Sequence, residues 1–225
     1  MEHLMNNLSI KVNDKIYLKD PSSSILGKRI IQESLVMIDE LGMENFNFKK
    51  LAIELNTTES SIYRYFENKH KLLIYHMSWF WTWLEYRLLF LTSNIGNPNE
   101  KLDKAIHLIV MPTDGIELSN NKNIEVLQRI IINESSKAFF SKEVDQENRE
   151  GFFKAYKNFC KRVRLIVEEI NPDYPYSHSL VSTVVEGIQV QKYYADHFLT
   201  LSDFQEDHTE IKEMFLQLLK KSIAK

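Results

Sequence analysis

The chain has 225 residues, of which 44% are hydrophobic and 26% are charged, and its formal net charge is −3. This composition is ordinary for a soluble globular protein, and the charge excludes a strongly basic nucleic-acid binder, so any DNA contact depends on local placement of charge. Only 6 Gly and 5 Pro occur, which predicts few turns and an all-α fold. Because Cys160 is the single cysteine, an intrachain disulfide is excluded and a reducing, cytoplasmic location is expected.

Residues 1–23 are predicted to form an N-terminal arm or a small hairpin. Apolar and polar residues alternate over 9–18, on both sides of a turn signal at Asn13-Asp14. A flexible arm is the alternative, because an isolated two-stranded hairpin is marginal in water. The first 18 residues contain no apolar run that fits a signal peptide.

Apolar residues at helical spacing predict a first helix over about 24–41, with Gly42 as its left-handed cap. Three further helices are predicted in quick succession, each starting after a residue that can accept a backbone N–H: Asn47, Thr58 and Asn68. The remaining helices are predicted at about 69–93, 99–110, 119–138, 145–170, 177–199 and 207–223. The helix at 69–93 is too rich in charged residues to be a good membrane span.

The two shortest helices, FKKLAIEL and ESSIYRYF, are joined by a tight polar turn. Helices of about two turns are stable only when they pack on other elements. This arrangement is typical of a helix-turn-helix, whose second helix enters the DNA major groove. We expect that second helix to expose Glu59, Ser60, Ser61, Tyr63, Arg64 and Tyr65. A plain packed helical hairpin without DNA binding is the alternative.

The run LAIELNTTESSIYRYFENKHKLL resembles the signature of the TetR family of bacterial transcriptional repressors. It keeps the family pattern at Leu51, Ala52, Tyr63, Tyr65, Phe66, Lys69, Leu72 and Leu73. It departs from the pattern at the turn glycine, which is Asn56, at the following valine, which is Thr57, and at the glycine of the second helix, which is Ser60. Asn tolerates a left-handed backbone, so the turn can be kept. Ser60 adds bulk where the family brings its backbone close to DNA.

The resemblance implies a three-helix DNA-binding domain at 24–70 and a helical-bundle domain at 71–225 for effector binding and dimerisation. It implies a homodimer on a pseudo-palindromic operator, acting as a repressor that a small molecule releases. The residues implied to contact DNA are Asn47, Thr58, Ser60, Ser61, Tyr63, Arg64, Tyr65 and Lys69. Tyr63, Lys69 and Asn47 are expected at phosphates. Glu59 is expected either to repel phosphate or to accept from a cytosine amino group.

Two sets of residues are candidates for the second domain. A broad apolar face on the helix at 177–199 is expected at the dimer interface: Val181, Val184, Val185, Ile188 and Ala195. Aromatic and neighbouring side chains are expected to line an effector pocket: Trp79, Trp83, Tyr86, His107, Met111, Tyr156 and Phe159. For both sets the alternative is ordinary core packing, because a core face and a binding face share one period.

No catalytic motif, metal-ligand spacing or cofactor-binding loop occurs in the sequence, so no enzyme activity, metal or cofactor is predicted. A basic run at Lys154, Lys157, Lys161, Arg162 and Arg164 is interpreted as a solvated helix face, with an anionic effector as the alternative. The rival function is a helical protein-interaction module without specific DNA binding. Salt-dependent DNA binding separates the two functions.

Overall fold

The computed structural model describes residues 10–116, 118–204 and 208–224, with the backbone alone at 118–122. Within this part of the chain the fold is all-α, as predicted, and no strand occurs. Two 3-10 turns, Asp14–Ile16 and Pro21–Ser23, precede the first α-helix. The α-helices are α1 (Ile25–Asn45), α2 (Phe48–Glu54), α3 (Glu59–Tyr63), α4 (Lys69–Thr92), α5 (Pro98–Val110), α6 (Leu118–Phe139), α7 (Val144–Arg149), α8 (Lys154–Ile170), α9 (Ser177–His197) and α10 (Thr209–Ile223).

The chain divides into two compact units. The first unit comprises the residues up to Phe80 together with Ile116–Lys154, and the second comprises Trp81–Gly115 together with Ala155–Lys225. The first unit therefore contains α1 to α3, α6 and α7, while α4 contributes residues to both. The linear domain ranges derived from the sequence stay a prediction.

In the first unit, α1 is a platform for the short helices. Its start is capped by Ser24, whose hydroxyl accepts from the Gly27 N–H at 3.0 Å, and a Cβ at Gly27 would lie only 2.2 Å from the Pro21 carbonyl oxygen. Glycine is required there because the preceding turn lies directly against the helix. Near the other end, Gly42 has a positive φ of +70°, which glycine accepts. Its ψ of 158° lies outside the left-handed helical region expected for a cap, and helical turns continue to Asn45, so Gly42 is a kink rather than the end of α1.

A buried histidine joins α1 to α4. The Nε2 atom of His76 lies 2.9 Å from the Ser34 hydroxyl oxygen, and that hydroxyl also donates to the Ile31 carbonyl at 3.1 Å. The Ser34 hydroxyl therefore links the imidazole to the backbone of α1. Burial lowers the pKa of His76 to about 3, so the imidazole is neutral.

The residues from 10 to 24 are not a hairpin. They form the two 3-10 turns and pack on the first unit through Ile16, which is buried. The Leu18 N–H donates to the Tyr65 carbonyl at 2.8 Å, and the Asn13 amide donates to the Glu150 carbonyl at 2.9 Å. The hairpin expectation is wrong for residues 10–24 because their hydrogen bonds go to other elements. The first part of the predicted arm, residues 1–9, lies outside the described residues.

The single helix predicted over 145–170 is also wrong. Gly151 has φ +84° and separates α7 from α8. The two phenylalanines that follow, Phe152 and Phe153, turn inward and are buried. A continuous helix cannot contain this left-handed residue, and glycine adopts it at no steric cost.

In the second unit, α9 packs on α10 at close range. A Cβ on Gly187 would lie 2.9 Å from Cζ of Phe215, so the ring occupies the space that any other residue would need. Further along α9, Lys192 is buried and donates to the Val110 carbonyl at the end of α5 at 2.8 Å. Burial lowers the pKa of Lys192 to about 8. No helix within the described residues is long and apolar enough to cross a membrane.

Candidate nucleic-acid interface

Helices α2 and α3 are short, and each is started by a side-chain cap. The Asn47 side chain accepts from the Lys50 N–H at 2.9 Å, and the Thr58 hydroxyl accepts from the Ser61 N–H at 3.3 Å. Both caps supply a partner to a helix N–H that would otherwise have none. The capping predicted from the sequence at these two positions is confirmed.

The turn between the two helices uses a left-handed residue. Asn56 has φ +50°, the only positive value at a non-glycine residue in the described chain. The turn is closed by a backbone bond from the Thr57 N–H to the Ala52 carbonyl at 2.9 Å. Asn56 thus takes the conformation for which the family uses glycine, at the modest cost that asparagine pays there.

The inner side of the pair is apolar and fully packed. Leu51, Leu55, Ile62 and Phe66 are each no more than 1% exposed. The outer side is polar: Thr58, Ser60, Tyr63 and Arg64 are exposed, and Glu59 and Ser61 are partly exposed. Helix α3 is therefore fixed from behind and presents hydroxyls and a guanidinium to solvent, which are groups that hydrogen-bond phosphates and base edges.

Tyr63 is packed against α2 and is still partly exposed to solvent. Its ring lies edge-on against Phe48, with a centroid distance of 5.0 Å, yet 45% of the residue remains exposed. The packed ring is held on α2 while the hydroxyl end remains available.

Tyr65 does not lie on the outer face. It is only 4% exposed, and its hydroxyl lies 2.7 Å from the Ser24 hydroxyl. The expectation that Tyr65 is exposed for DNA contact is wrong for the free chain, because the residues before α1 cover it. Lys19, whose ammonium lies 5.1 Å from the centre of the Tyr65 ring, is part of this cover.

The Lys69 side chain binds backbone carbonyl groups. Its ammonium donates to the carbonyls of Met43 at 2.5 Å, Phe46 at 2.9 Å and Glu44 at 3.3 Å. These carbonyls belong to the end of α1, where helix carbonyls lack partners within the helix. In this structure Lys69 therefore closes a helix end, and its implied role at a phosphate stays a prediction.

Three basic residues near this surface are not among the DNA-contacting residues predicted from the sequence. Lys49 is exposed in the first turn of α2, and Lys19 is exposed beside Arg64's end of α3. Arg29 donates to the Leu55 carbonyl at 3.2 Å and so closes the end of α2. Lys49 could have been found from the sequence, since it follows the Asn47 cap by two positions and so falls at a helix start, where phosphates bind.

Comparison with known proteins agrees with this geometry. Residues 30–75 match the model of the bacterial regulatory proteins of the tetR family. The first unit carries a TetR-type helix-turn-helix domain. The resemblance inferred from the sequence is confirmed, and with it the N-terminal domain of a DNA-binding regulator.

A solved structure supports the fold beyond this domain. The crystal structure of AibR in complex with isovaleryl coenzyme A and operator DNA superposes with a TM-score of 0.55, at 17% identity, over 85% of this chain and 96% of that one. At this identity the likeness establishes the fold. A search of curated proteins gives no significant match.

The apolar face predicted for the TetR-type dimer is internal. Val181, Val184, Val185 and Ile188 are at most 1% exposed, and Ala195 is 4% exposed. Because these side chains lie in the core of the second unit, the prediction that they form an open surface for a second copy is corrected to core packing. A core face and an interface have the same helical period, so the pattern could not separate them.

The predicted effector residues differ in their surroundings, and a pocket shared by the whole set stays a prediction. Phe159 is a core residue against the Trp81 ring, and Trp83 is buried. His107 lies at the surface and pairs with Asp114 at 2.7 Å, which lowers the pKa of that carboxyl. Tyr86 is exposed, whereas Trp79 and Met111 are partly exposed. Of the seven, Tyr156 lines the cleft between α8 and α9.

No group of three or more His, Cys, Asp or Glu residues in the described part of the chain is arranged to hold a metal ion. The family model that matches residues 30–75 describes bacterial regulatory proteins. The surface of α3 is therefore the feature with the clearest chemistry.

Proposed function

We propose that the chain is a sequence-specific DNA-binding transcriptional regulator, a repressor that a small-molecule effector releases from its operator. The observation that carries the proposal is the outer face of α3, where Ser60, Tyr63 and Arg64 are exposed on a helix whose inner face is fully buried. A rigid support is what base reading requires, because a contact must be held in place to discriminate.

The exposed groups divide into two roles. The Tyr63 hydroxyl, the Asn47 cap and Lys49 approach phosphates, which set the register on the duplex without reading sequence. Ser60 and Arg64 approach base edges in the major groove, where Arg pairs best with guanine. Tyr65 is left out of this proposal because it is buried.

We place the working form as a homodimer, since two-fold symmetry sets two recognition helices about 34–36 Å apart on successive major grooves of a pseudo-palindromic operator. The outward faces of α9 and α10 supply the interface. They carry exposed apolar side chains, including Val190 at 42% and Leu218 at 41%. Val190→Glu combined with Leu218→Glu should give monomers in light scattering; retained dimers would move the interface elsewhere.

The second unit is the proposed effector-binding part. The related AibR structure contains isovaleryl coenzyme A together with operator DNA, so acyl coenzyme A thioesters belong in the first panel of effectors. A catalytic activity is not part of the proposal, and the protein is assigned to the cytoplasm.

The decisive experiment measures binding to a labelled duplex from upstream of the gene by fluorescence anisotropy, with an unrelated duplex as competitor, at two salt concentrations. Tight, selective and salt-sensitive binding is expected. A pool of genomic fragments then covers operators at other loci. If no duplex is bound selectively, the rival function, a helical interaction module, replaces this one.

A matched pair of variants assigns the binding to α3. Ser60→Ala with Arg64→Ala should remove selectivity, whereas Lys104→Gln with Lys142→Gln, at exposed positions outside the proposed interface, should leave it unchanged. Equal effects of the two pairs would show that α3 does not read the DNA.

A further inference from the structure

A cleft of about 460 Å³ opens between α8 and the first turns of α9 in the second unit. Helix α8 contributes one face, at positions four residues apart, and α9 contributes its start. The lining residues are Tyr156, Lys157, Cys160, Lys161, Arg164, His178, Ser179, Val181 and Ser182. Ligand sites for small molecules have volumes of about 300–1,000 Å³, so the cleft is large enough for one.

The charged side chains that line the cleft are basic. Lys157, Lys161 and Arg164 line it together with His178, and no acidic residue is among the lining residues, although the whole chain has a net charge of −3. The nearest carboxylates already have partners. Glu168 binds Arg164 and accepts from Ser177 at 2.8 Å.

Glu186 is the other acidic group beside the cleft. It accepts a hydrogen bond from the Tyr156 hydroxyl at 2.7 Å. The Tyr156 ring is thus fixed at its hydroxyl, and it also packs against the Trp81 ring at a centroid distance of 4.9 Å. The carboxylate thus orients a wall of the cleft and offsets only part of the positive charge around it.

The start of α9 adds to the positive potential. This helix has 21 residues and no side-chain cap at Tyr176, so its first backbone N–H groups lack the usual acceptor. His178 and Ser179, in that first turn, line the cleft. The positive end of the helix dipole and the uncapped N–H groups both favour an anion at this place.

The inner wall of the cleft is less polar. It is formed by the Tyr156 ring, the Cys160 thiol and Val181, which is 1% exposed. Burial raises the pKa of Cys160 to about 11, so the thiol is neutral at physiological pH and adds no negative charge. A ligand that matches both walls has an apolar body and an anionic group.

We propose that the cleft between α8 and α9 binds a small organic anion, with its phosphate or carboxylate on Lys157, Lys161 and the start of α9, and its apolar part on Tyr156 and Val181. As an effector site, this inference rests on the proposed regulatory function; as a binding site, it stands on the cleft alone.

The test compares two fluorescent probes with one ring system. 8-Anilinonaphthalene-1-sulfonate carries a negative charge, and N-phenyl-1-naphthylamine lacks it. The charged probe should bind the full-length protein at least about tenfold more tightly, as expected when charge-assisted contacts are present. Inorganic pyrophosphate and hexanoate, as competitors, separate a phosphate from a carboxylate preference.

Occupancy of the cleft is read independently from its cysteine. Cys160 is the single cysteine of the chain, so modification by N-ethylmaleimide reports on this place alone. The rate is measured at pH 9, because the thiolate is the reacting form and the raised pKa of Cys160 leaves less of it at lower pH. The charged probe and the preferred competitor should slow the modification severalfold. An unchanged rate at saturating probe would overturn the proposal.

Lys157→Gln with Lys161→Gln should weaken the charged probe at least about tenfold, whereas Lys104→Gln with Lys142→Gln removes the same charge from exposed positions elsewhere and should change it less than about twofold. If both pairs weakened binding of the charged probe equally, the net charge of the protein would explain the effect, and the proposal would be overturned. Loss of DNA affinity or of the dimer in the cleft variant would assign the lysines to those partners instead. If wild-type protein binds no operator but binds the probe as described, the regulatory function fails and the cleft stands.

Discussion

Lys69 gives the sharpest test of the helix-turn-helix geometry. Family resemblance implies that it grips a phosphate, whereas the structure engages its ammonium with the carbonyls of Met43, Glu44 and Phe46. Lys69→Met keeps most of the aliphatic stem and removes only the charged donor. The substitution therefore separates a structural role from a DNA-binding role.

The expected loss of stability follows from the three bonds. A hydrogen bond to a charged group contributes about 1.5–3 kcal/mol net. Since one partly exposed ammonium shares its donors among three carbonyls, of which one lies as far as 3.3 Å away, the contributions do not add fully. We expect Lys69→Met to lower the free energy of unfolding by about 2–3 kcal/mol, a large part of the 5–15 kcal/mol typical of a domain.

Urea denaturation measures this change, and anisotropy over a salt series measures binding to DNA phosphates. Lys49→Met is the control, because Lys49 is exposed on α2 and has no side-chain bond within the described residues. The control should leave stability unchanged and reduce the salt slope by about 0.9 for each phosphate that is no longer neutralised. Lys69→Met should lower the stability and leave the salt slope unchanged. Unchanged stability with a reduced slope in Lys69→Met would refute the reasoning.

Three further outcomes are expected. Arg64→Ala should cost about 1–3 kcal/mol of operator affinity and relax specificity at one base pair, with competition by mutated duplexes as the check; a uniform loss on every duplex would assign Arg64 to phosphate. The pKa of His76 falls from 6.5 to about 3 on folding, so below pH 6.5 the unfolded chain binds a proton that the folded chain does not. The free energy of unfolding should therefore be constant above pH 6.5 with respect to this group and fall by about 1.4 kcal/mol per pH unit below it. Urea denaturation of wild type and His76→Gln from pH 7 to pH 5 should show this difference in slope. Gly187→Ala places a Cβ 2.9 Å from the Phe215 ring and should destabilise the protein by about 1–3 kcal/mol, whereas Gly96→Ala, with nothing within 4 Å, should not.

Local signals in the sequence predicted the front of the molecule well. Asn47 and Thr58 are capping residues with adjacent partners, and Asn56 is one of the few residue types that accept a positive φ, so short-range chemistry determines each of them. Gly151 is also a local signal, because glycine accepts the positive φ that ends α7. Isolated glycines also occur within helices, so the apolar period on both sides of Gly151 predicts one continuous helix there.

Long-range contacts were invisible to the same reasoning. The valines of α9 have the period of any buried face, and only the packing of α5 and α10 on α9 decides whether that face is core or interface. Lys69 likewise has a fixed place at the start of α4. Its partners are the carbonyls of Met43 to Phe46, which lie more than twenty positions earlier in the chain.

Burial of Tyr65 narrows what α3 can read. Ile62, Tyr65 and Phe66 fall on one side of the helical turn, and the segment before α1 closes over that side through the Ser24 hydroxyl and the Leu18 N–H. The residues left for DNA lie at the exposed face, on Ser60, Tyr63 and Arg64. A helix of five residues reaches few base pairs. In the proposed homodimer most of the affinity would therefore come from phosphate contacts and from the second copy, which makes the salt slope as informative as the operator sequence.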